Sequence, residues 1–419
     1  MNFELPQEIV DKLAEIDAFN EREIKPLQAQ DDNERFFDHR REHARTDWDR
    51  DGQPRDEWND LIAEMERRAD KAGFLRLGLP KECGGGGASN LMIASIREHL
   101  AGQGLQLAND LQDESSVVGN FPLVPILNAY GSADQRQYIE GIVGRDNHLA
   151  FGLTEPDHGS DATWIETTAV RDGDDWVING RKRFNSQVYR AKADLIFART
   201  SGKDGDGDGI TAFIVPMSTP GIEILYNHWT FNMPSDHPEV GLDNVRVPNS
   251  AILHEEGKGL YIAQRFIHEN RIRQAAASVG AARYCVQEAV KFANERHVFG
   301  QPLSKQQIIQ FELAELHAEV EILRNFVYKT AWEMDRRSPL EISDQVSICN
   351  FKANRLVCQA ADRAIQVHGG IGYTRAKPFE HIYRHHRRYR ITEGSEEIQI
   401  RRVAQYLFGF GGGKGKGRG

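Results

Sequence analysis

A mostly helical α+β architecture, with a β-domain set between two helical domains, is expected for this chain of 419 residues. Apolar residues recur at helical spacing toward both ends, and the middle of the chain breaks into short β-rich runs parted by Gly and Asp. A run of small residues, Ala275 to Ala282, suits a helix pressed closely against its neighbours, as in a bundle.

From residue 7 to about 148 the spacing is helical. Ile9, Leu13 and Ile16 open one amphipathic stripe, and Trp58, Leu61, Ile62, Met65 and Ala69 form another. Residues 31–57 between them carry dense mixed charge together with Phe36, Phe37 and Trp48, which fits either a segment docked on the surface or a mobile loop. Ser132-Ala133-Asp134-Gln135 has the spacing of a capping box, so a short helix is expected to begin there. These features define an N-terminal helical domain over 1–148.

Near residue 149 the period changes. Trp176 to Arg181, Ala193 to Ala198, Thr211 to Val215, Gly221 to Ile224 and Leu242 to Pro248 read as strands of a β-domain over 149–257, of barrel or sandwich type. Helices return over 258–408 in three long segments of a bundle-like domain, broken near Phe299-Gly300-Gln301-Pro302 and Ser338-Pro339. A last helix is expected from Ser395 to Phe408. Ser395 fits its N-cap, Glu396 and Glu397 suit the positive first turn, and Ile400, Val403, Ala404, Leu407 and Phe408 share one face. Residues 409–419 are Gly, Lys and Arg with little apolar content and are expected to be a disordered tail.

Composition narrows the function classes. A net charge of −10 argues against nucleic acid as a partner, and the three cations Lys414, Lys416 and Arg418 are too few to reverse that. No window of about 18 apolar residues suggests a membrane span, and the start of the chain lacks a signal peptide, so a cytoplasmic protein is expected. Cys83, Cys285, Cys349 and Cys358 are scattered without a CxxC pair, which points to small buried residues rather than disulfides or zinc ligands. Asp204-Gly205-Asp206-Gly207-Asp208-Gly209 resembles the start of a calcium loop. Its twelfth position is Val215 instead of a glutamate, so a solvated loop and no metal site are expected.

Five segments can carry chemistry. Thr154-Glu155-Pro156-Asp157-His158-Gly159-Ser160-Asp161 is either a connector or a set of hydroxyls and amides for a heterocycle or phosphate. Phe184-Asn185-Ser186 offers an aromatic plane and a hydroxyl, although an aromatic at a strand end is commonly core. Arg296-His297-Val298-Phe299-Gly300, followed by Gln306-Gln307, places an arginine near a helix start, for a pyrophosphate or for helix-terminal carbonyls. Gln366 to Gly372 ends a helix with glycines that either cap it or admit a cofactor. Ile391-Thr392-Glu393-Gly394-Ser395 puts one carboxylate beside a flexible glycine before a helix, as a capping residue or a base.

In this order, Leu153-Thr154-Glu155-Pro156, Arg296-x-x-Phe299-Gly300, Gln366-x-x-Gly369-Gly370-x-Gly372 and Glu393-Gly394 resemble the acyl-CoA dehydrogenase family, whose helical, β, helical layout also matches from about residue 7 to 408. The resemblance implies FAD held between the β-domain and the C-terminal bundle. Leu153 and Thr154 would contact the flavin, with Gly159 and Ser160 nearby and Ser160 also touching the CoA side. Ser186 would face flavin N5. Phe184 stands where many relatives carry tryptophan. Arg296, Phe299 and Gln307 would bind the pyrophosphate and adenosine portion with Gln366, Gly369 and Gly370 close by, several of them reaching the flavin of a neighbouring subunit. A homo-oligomer, tetramer or dimer, is therefore implied. Ser395 and Glu397 fall where relatives have Thr and Gln near the adenosine.

By the same resemblance, Glu393 takes the place of the base that removes the α-proton of an acyl-CoA thioester while hydride leaves the β-carbon, giving a trans-2-enoyl-CoA. Its electrons would pass to an electron-transferring flavoprotein, as in fatty acid β-oxidation. Rival readings keep the fold with oxygen as acceptor, as in an acyl-CoA oxidase, or make the chain a non-catalytic CoA-binding paralogue. Asn270 occupies the base position of another branch of the family and cannot serve there, which leaves Glu393. Asn270, Arg271 and Gly394 would lie at the substrate. His385-His386-Arg387-Arg388 is more basic than the family's usual run. The polar stretch from Asp110 to Ser116 suggests a short, branched or polar acyl group, or else a solvated helix face.

Overall fold

The computed structural model describes residues 4–38, 40–41, 43–109, 116–145 and 148–410. The stretch Asp110–Glu114 with Ser115, and the tail beyond Phe410, lie outside the described residues. The N-terminal part contains α1 (Gln7–Phe19), α2 (Lys25–Ala29), a hairpin of β1 (Thr46–Asp47) and β2 (Gln53–Pro54), α3 (Asp56–Lys71), α4 (Asn90–Ala101), α5 (Leu123–Tyr130), α6 (Ala133–Arg136) and α7 (Tyr138–Val143). The sheet follows as β3 (His148–Gly152), β4 (Thr168–Asp172), β5 (Asp175–Arg183), β6 (Ala191–Arg199), β7 (Ile210–Pro216), β8 (Ile222–Asn227) and β9 (Pro238–Pro248). The C-terminal part holds α8 (Gly259–Glu295), the hairpin β10 (His297–Val298) and β11 (Gln301–Pro302), α9 (Gln307–Met334), α10 (Pro339–His368), α11 (Phe379–Arg387) and α12 (Glu396–Phe408).

Several expectations meet the structure directly. Ser132 closes a reciprocal capping box with Gln135 at the start of α6. Ser395 caps α12. The four cysteines are buried and free. The charged segment between α2 and α3 is docked, because Phe36 and Phe37 pack on the fully buried Trp58 and the Arg45 guanidinium lies 4.0 Å over that ring. The seven-stranded sheet runs β3-β6-β4-β5-β9-β8, with β7 also paired to β6. In β6 and β7 nearly every residue is buried on both faces, which explains their unbroken apolar runs. No helix among the described residues is long and apolar enough to cross a membrane, and among them no cluster of His, Cys, Asp or Glu could hold a metal ion.

The long helices pack where side chains are small. Ala275, Ala276, Ala281 and Ala282 of α8 are fully buried against α4 and α10. At Gly280 a Cβ would overlap the carbonyl oxygen of Glu98 and stand 3.0 Å from Ala101 Cβ, so α4 crosses α8 on bare backbone. The apolar face of α12 differs from a packed stripe: Leu407 and Phe408 are 76% and 65% exposed, and the residues that α12 buries are Glu396 and Gln399. The helix is anchored through polar groups at its start, and the described residues leave its apolar end exposed.

Glu396 supplies that anchor. Arg390 grips its carboxylate with two hydrogen bonds of 2.8 Å, and Arg355 Nε adds a third at 3.0 Å. The Arg390 hydrogen bonds, against the cost of burial, hold the carboxyl down to about 2. A carboxylate depressed this way stabilises the fold fully above its ordinary 4.5 and loses that effect as pH falls toward 2.

Two outcomes follow. Gly280→Ala should lower stability by about 1–3 kcal/mol in urea unfolding despite alanine's better helix propensity, because α4 must move. The midpoint difference between the parent protein and Glu396→Gln should be constant from pH 7 to about 4.5 and shrink below it; a difference independent of pH would contradict the ionised clamp.

Candidate active site

Between α11 and α12 the chain makes a 3-10 turn over Arg388–Arg390 and then places two successive residues in the left-handed region, Glu393 at φ 57° and Gly394 at φ 83°. A non-glycine residue pays a steric penalty there of about 1–2 kcal/mol, so something must hold it. Arg271 of α8 does so. Its Nε and Nη2 both donate to the main-chain oxygen of Glu393, at 2.9 and 2.6 Å. Asn270 Nδ2, one residue earlier, donates to Glu393 Oε1 at 3.3 Å, so the side chain and the backbone of Glu393 are held by adjacent residues. Gly394 is required for this approach, because a Cβ there would lie 2.8 Å from Arg271 Nη2. Gln399 Nε2 closes the loop from the α12 side by donating to Gly394 O at 2.8 Å.

Behind the loop lies a buried polar layer that sequence reasoning missed. Asn350 Nδ2 donates to Arg271 O at 2.9 Å, and its Oδ1 accepts from Gln399 Nε2 and Asn354 Nδ2. Asn354 also donates to Tyr389 O at 3.1 Å and accepts from Ser278 Oγ at 2.7 Å. His385 and His386, expected to make this run basic, are instead buried, His386 Nδ1 3.0 Å from Ser278 Oγ and His385 Nε2 2.9 Å from the Tyr389 hydroxyl. Burial, with Arg388 nearby, depresses His386 to about 3, and His385 is likewise driven well below its ordinary value. Both are neutral imidazoles at neutral pH. Arg271 is lowered by burial to about 10, the Glu393 carboxylate opposing, and stays cationic. Glu269 pairs with Arg273 at 3.5 Å.

A second group of predicted residues meets at the end of the sheet. Arg183 N donates to Thr154 O at 2.8 Å, which sets Leu153 and Thr154 beside the turn that carries Phe184 and Ser186. Phe184 sits at φ 63° and is 49% exposed, and Ser186 is also exposed. Gly159 lies against Thr154, 3.7 Å from Thr154 Cγ2 to a Cβ built there, and Ser160 follows it on the surface. Beneath this edge Lys182 and Glu155 form a buried ion pair at 2.7 Å, and Lys182 Nζ also reaches Leu153 O at 3.3 Å. Burial opposes the charge on both, yet the Lys182 ammonium still holds Glu155 below its ordinary value, whereas Lys182 itself is pulled down. Burial raises the neighbouring Asp194, bonded to Asn185, to about 6. A signal for Lys182 was present: the two-residue period of β5 puts it on the face of Trp176 and Ile178.

The two groups are joined by an aromatic stack. Phe151 of β3 lies 4.2 Å from Phe266 of α8 at an interplanar angle of 12°. Leu153 and Thr154 come just after the first ring, and Asn270 and Arg271 come one helical turn after the second.

The third group stands apart. Phe292 stacks on His368 at 4.3 Å, bringing together the ends of α8 and α10 and with them Arg296, Gln366, Gly369 and Gly370. Leu303 N donates to Arg296 O, which carries the chain to Gln307 at the start of α9. Arg296, Gln307, Gln366, Gly369 and Gly370 are exposed, and Phe299 is 97% exposed at φ 50°. A Cβ at Gly369 or Gly370 would meet nothing within 4 Å. Arg296 lies 25 residues along α8 from Arg271, about 37 Å at 1.5 Å per residue, so within one chain this group does not join Glu393. Ser395 is occupied as the α12 cap, 3.5 Å from Ile398 N, and Glu397 is exposed. Each end carries donors of a kind that suits part of a dinucleotide, hydroxyls and an exposed ring at the sheet end and an arginine with open glycines at the bundle end, but within one chain the two ends do not meet.

Family models match most of the chain, from residue 27 to 408. They are "Acyl-CoA dehydrogenase, N-terminal domain" over residues 27–144, "Acyl-CoA dehydrogenase, middle domain" over 150–245 and "Acyl-CoA dehydrogenase, C-terminal domain" over 257–408. Among relatives, the 3-(aryl)acrylate reductase of Clostridium sporogenes is 32% identical over 352 residues, 82% of this chain and 90% of that protein. The mitochondrial short-chain specific acyl-CoA dehydrogenase of Rattus norvegicus is 30% identical over 390 residues, 93% of this chain and 87% of that protein. A solved structure described as a putative acyl-CoA dehydrogenase from Mycobacterium abscessus superposes with a TM-score of 0.85 at 27% identity, covering 97% of this chain and 99% of that one. With its three domains matched in order, the chain belongs to the acyl-CoA dehydrogenase family, FAD-binding oxidoreductases that act on the CH–CH group of acyl-CoA.

Proposed function

We propose that this protein removes the α-proton of an acyl-CoA thioester with Glu393, forming a trans-2-enoyl-CoA and passing the electrons on to an electron-transferring flavoprotein. The observation that carries the reading is the Glu393 loop. A half-buried carboxylate in left-handed backbone, fixed at its carbonyl by Arg271 and at its side chain by Asn270, is held for one position. The other carboxylates nearby are committed elsewhere, Glu396 to Arg390 and Arg355, Glu269 to Arg273.

FAD, when bound, supplies the acceptor for the hydride that leaves the β-carbon. Leu153, Thr154, Gly159, Ser160, Phe184 and Ser186 would hold its flavin end. Arg296, Phe299, Gln307, Gln366, Gly369 and Gly370 would hold the distant end of a second subunit's cofactor, which the length of α8 supports and which calls for a homo-oligomer. Ser395 and Glu397 would border the adenosine. The main-chain N–H of Glu393 is the donor offered to the thioester oxygen, where negative charge develops as the proton leaves. The Arg271 fork holds the main-chain oxygen of Glu393, and Asn270 holds its side chain.

Glu393→Gln should retain FAD, seen in its visible spectrum, while turnover with an acyl-CoA panel and an artificial acceptor falls by about 10²–10⁴-fold; near-normal turnover rules out the assignment. Gly394→Ala should also retain FAD and reduce kcat by about tenfold or more, because its Cβ displaces the Arg271 fork by contact at 2.8 Å. An unchanged kcat in that variant would show that the fork does not place the base.

A further inference from the structure

Ser186, an exposed hydroxyl in the turn after β5 at the end of the sheet, is not solitary. Its Oγ lies 2.7 Å from Nδ1 of His237 in the loop between β8 and β9. Asn185 N donates to Pro238 O and Gln187 N donates to Asp236 O, both at 3.2 Å, so Ser186 and His237 face each other between two main-chain hydrogen bonds. The Asp236 carboxylate stands 3.4 Å from the same Nδ1.

The loop is held from all three parts of the chain. Asn227 Nδ2 and Trp229 Nε1 donate to Asp51 O at 2.8 and 2.9 Å, and Ser235 N donates to Gly52 O at 3.0 Å. A side chain at Gly52 would overlap Met233, so the β1–β2 hairpin lies directly on the loop. Trp48 packs edge-on against Trp229 at 5.1 Å. From the C-terminal side, Arg384 Nη1 donates to Phe231 O at 2.7 Å. This much anchoring of a loop that ends in one histidine–serine contact is more than loop closure requires.

We infer that His237 is a positioning residue that sets the direction of the Ser186 hydroxyl proton; the inference rests on the reading of Ser186 as the group facing flavin N5. A carboxylate at 3.4 Å favours the tautomer with hydrogen on Nδ1. Nδ1–H then donates to Ser186 Oγ, and the serine's own hydrogen must turn away from His237 toward the open edge. There the hydroxyl is a fixed donor. N5 of oxidised flavin is an acceptor, whereas reduced N5 carries a hydrogen, so a fixed donor favours the oxidised form.

The test is the two-electron midpoint potential of the FAD-loaded protein, read beside its FAD content and melting temperature. His237→Ala and Ser186→Ala should each raise the potential by about 30 mV, a tenfold change in the oxidised-to-reduced ratio. The double variant should show no further shift, and His237→Asn, whose amide can donate from a similar place, should return the potential toward that of the parent. If Ser186→Ala leaves the potential unmoved, the reading of Ser186 fails and the inference with it. If Ser186→Ala shifts it but His237→Ala does not, or the two shifts add, the role of His237 alone is overturned. Nitrogen NMR of the unaltered holoenzyme provides an arm independent of variant folding. A hydrogen on Nδ1 supports the inference, and a bare Nδ1 overturns it.

Discussion

Arg271 closes its Nε and Nη2 on one main-chain oxygen, that of Glu393, while its Nη1 donates to Ser347 Oγ, and the rest of the site is arranged around that contact. A charge-assisted hydrogen bond contributes about 1.5–3 kcal/mol, and two of them outweigh the roughly 1–2 kcal/mol of strain in a left-handed glutamate. Burying a guanidinium is itself unfavourable, which is why Arg271 is pulled down to about 10. The polar layer of Asn350, Asn354, Ser278 and Gln399 answers that problem by giving the surrounding main chain partners without adding charge. Glycine at 394 completes the arrangement, since any side chain would occupy the guanidinium's place.

The fold turns this local contact into a site. The α8 helix carries Asn270 and Arg271 near its middle, and its stack of Phe266 on Phe151 brings the end of β3 alongside. The same helix is long enough to set Arg296 and the exposed Phe299 at the far end of the bundle, beyond reach of Glu393 in one chain. At the other end of the same bundle, the apolar residues Leu407 and Phe408 of α12 are likewise exposed among the described residues.

Much of the fold was legible because it rests on period and capping. The three long helices, the strands β5 to β9, the capping box at Ser132 and the cap at Ser395 follow from local spacing that tertiary packing did not overrule, whereas the short strands β3 and β4 were not read from it. The site was legible only in part. Glu393, Thr154, Phe184 and the glycines could be named from their order along the chain, but no local pattern says which way a side chain turns. His385 and His386 stand in a run that reads as basic and are buried neutral rings. Segment 31–57 could be docked or loose, and pairings across the chain, Trp48 with Trp229 and Asp51 with the β8–β9 loop, decide for docking. The Lys182–Glu155 pair joins residues 27 apart that sequence spacing alone does not connect.

The most direct measurement of the Arg271 fork as the device that places Glu393, the proposed base, uses acetyl-CoA, which has α-hydrogens but no β-carbon to oxidise. In deuterium oxide the FAD-loaded protein should exchange the α-hydrogens of acetyl-CoA, followed by mass spectrometry. Arg271→Lys, which keeps the charge but not the two-armed grip, should slow that exchange by about tenfold or more. Equal exchange rates in the two proteins would contradict the account.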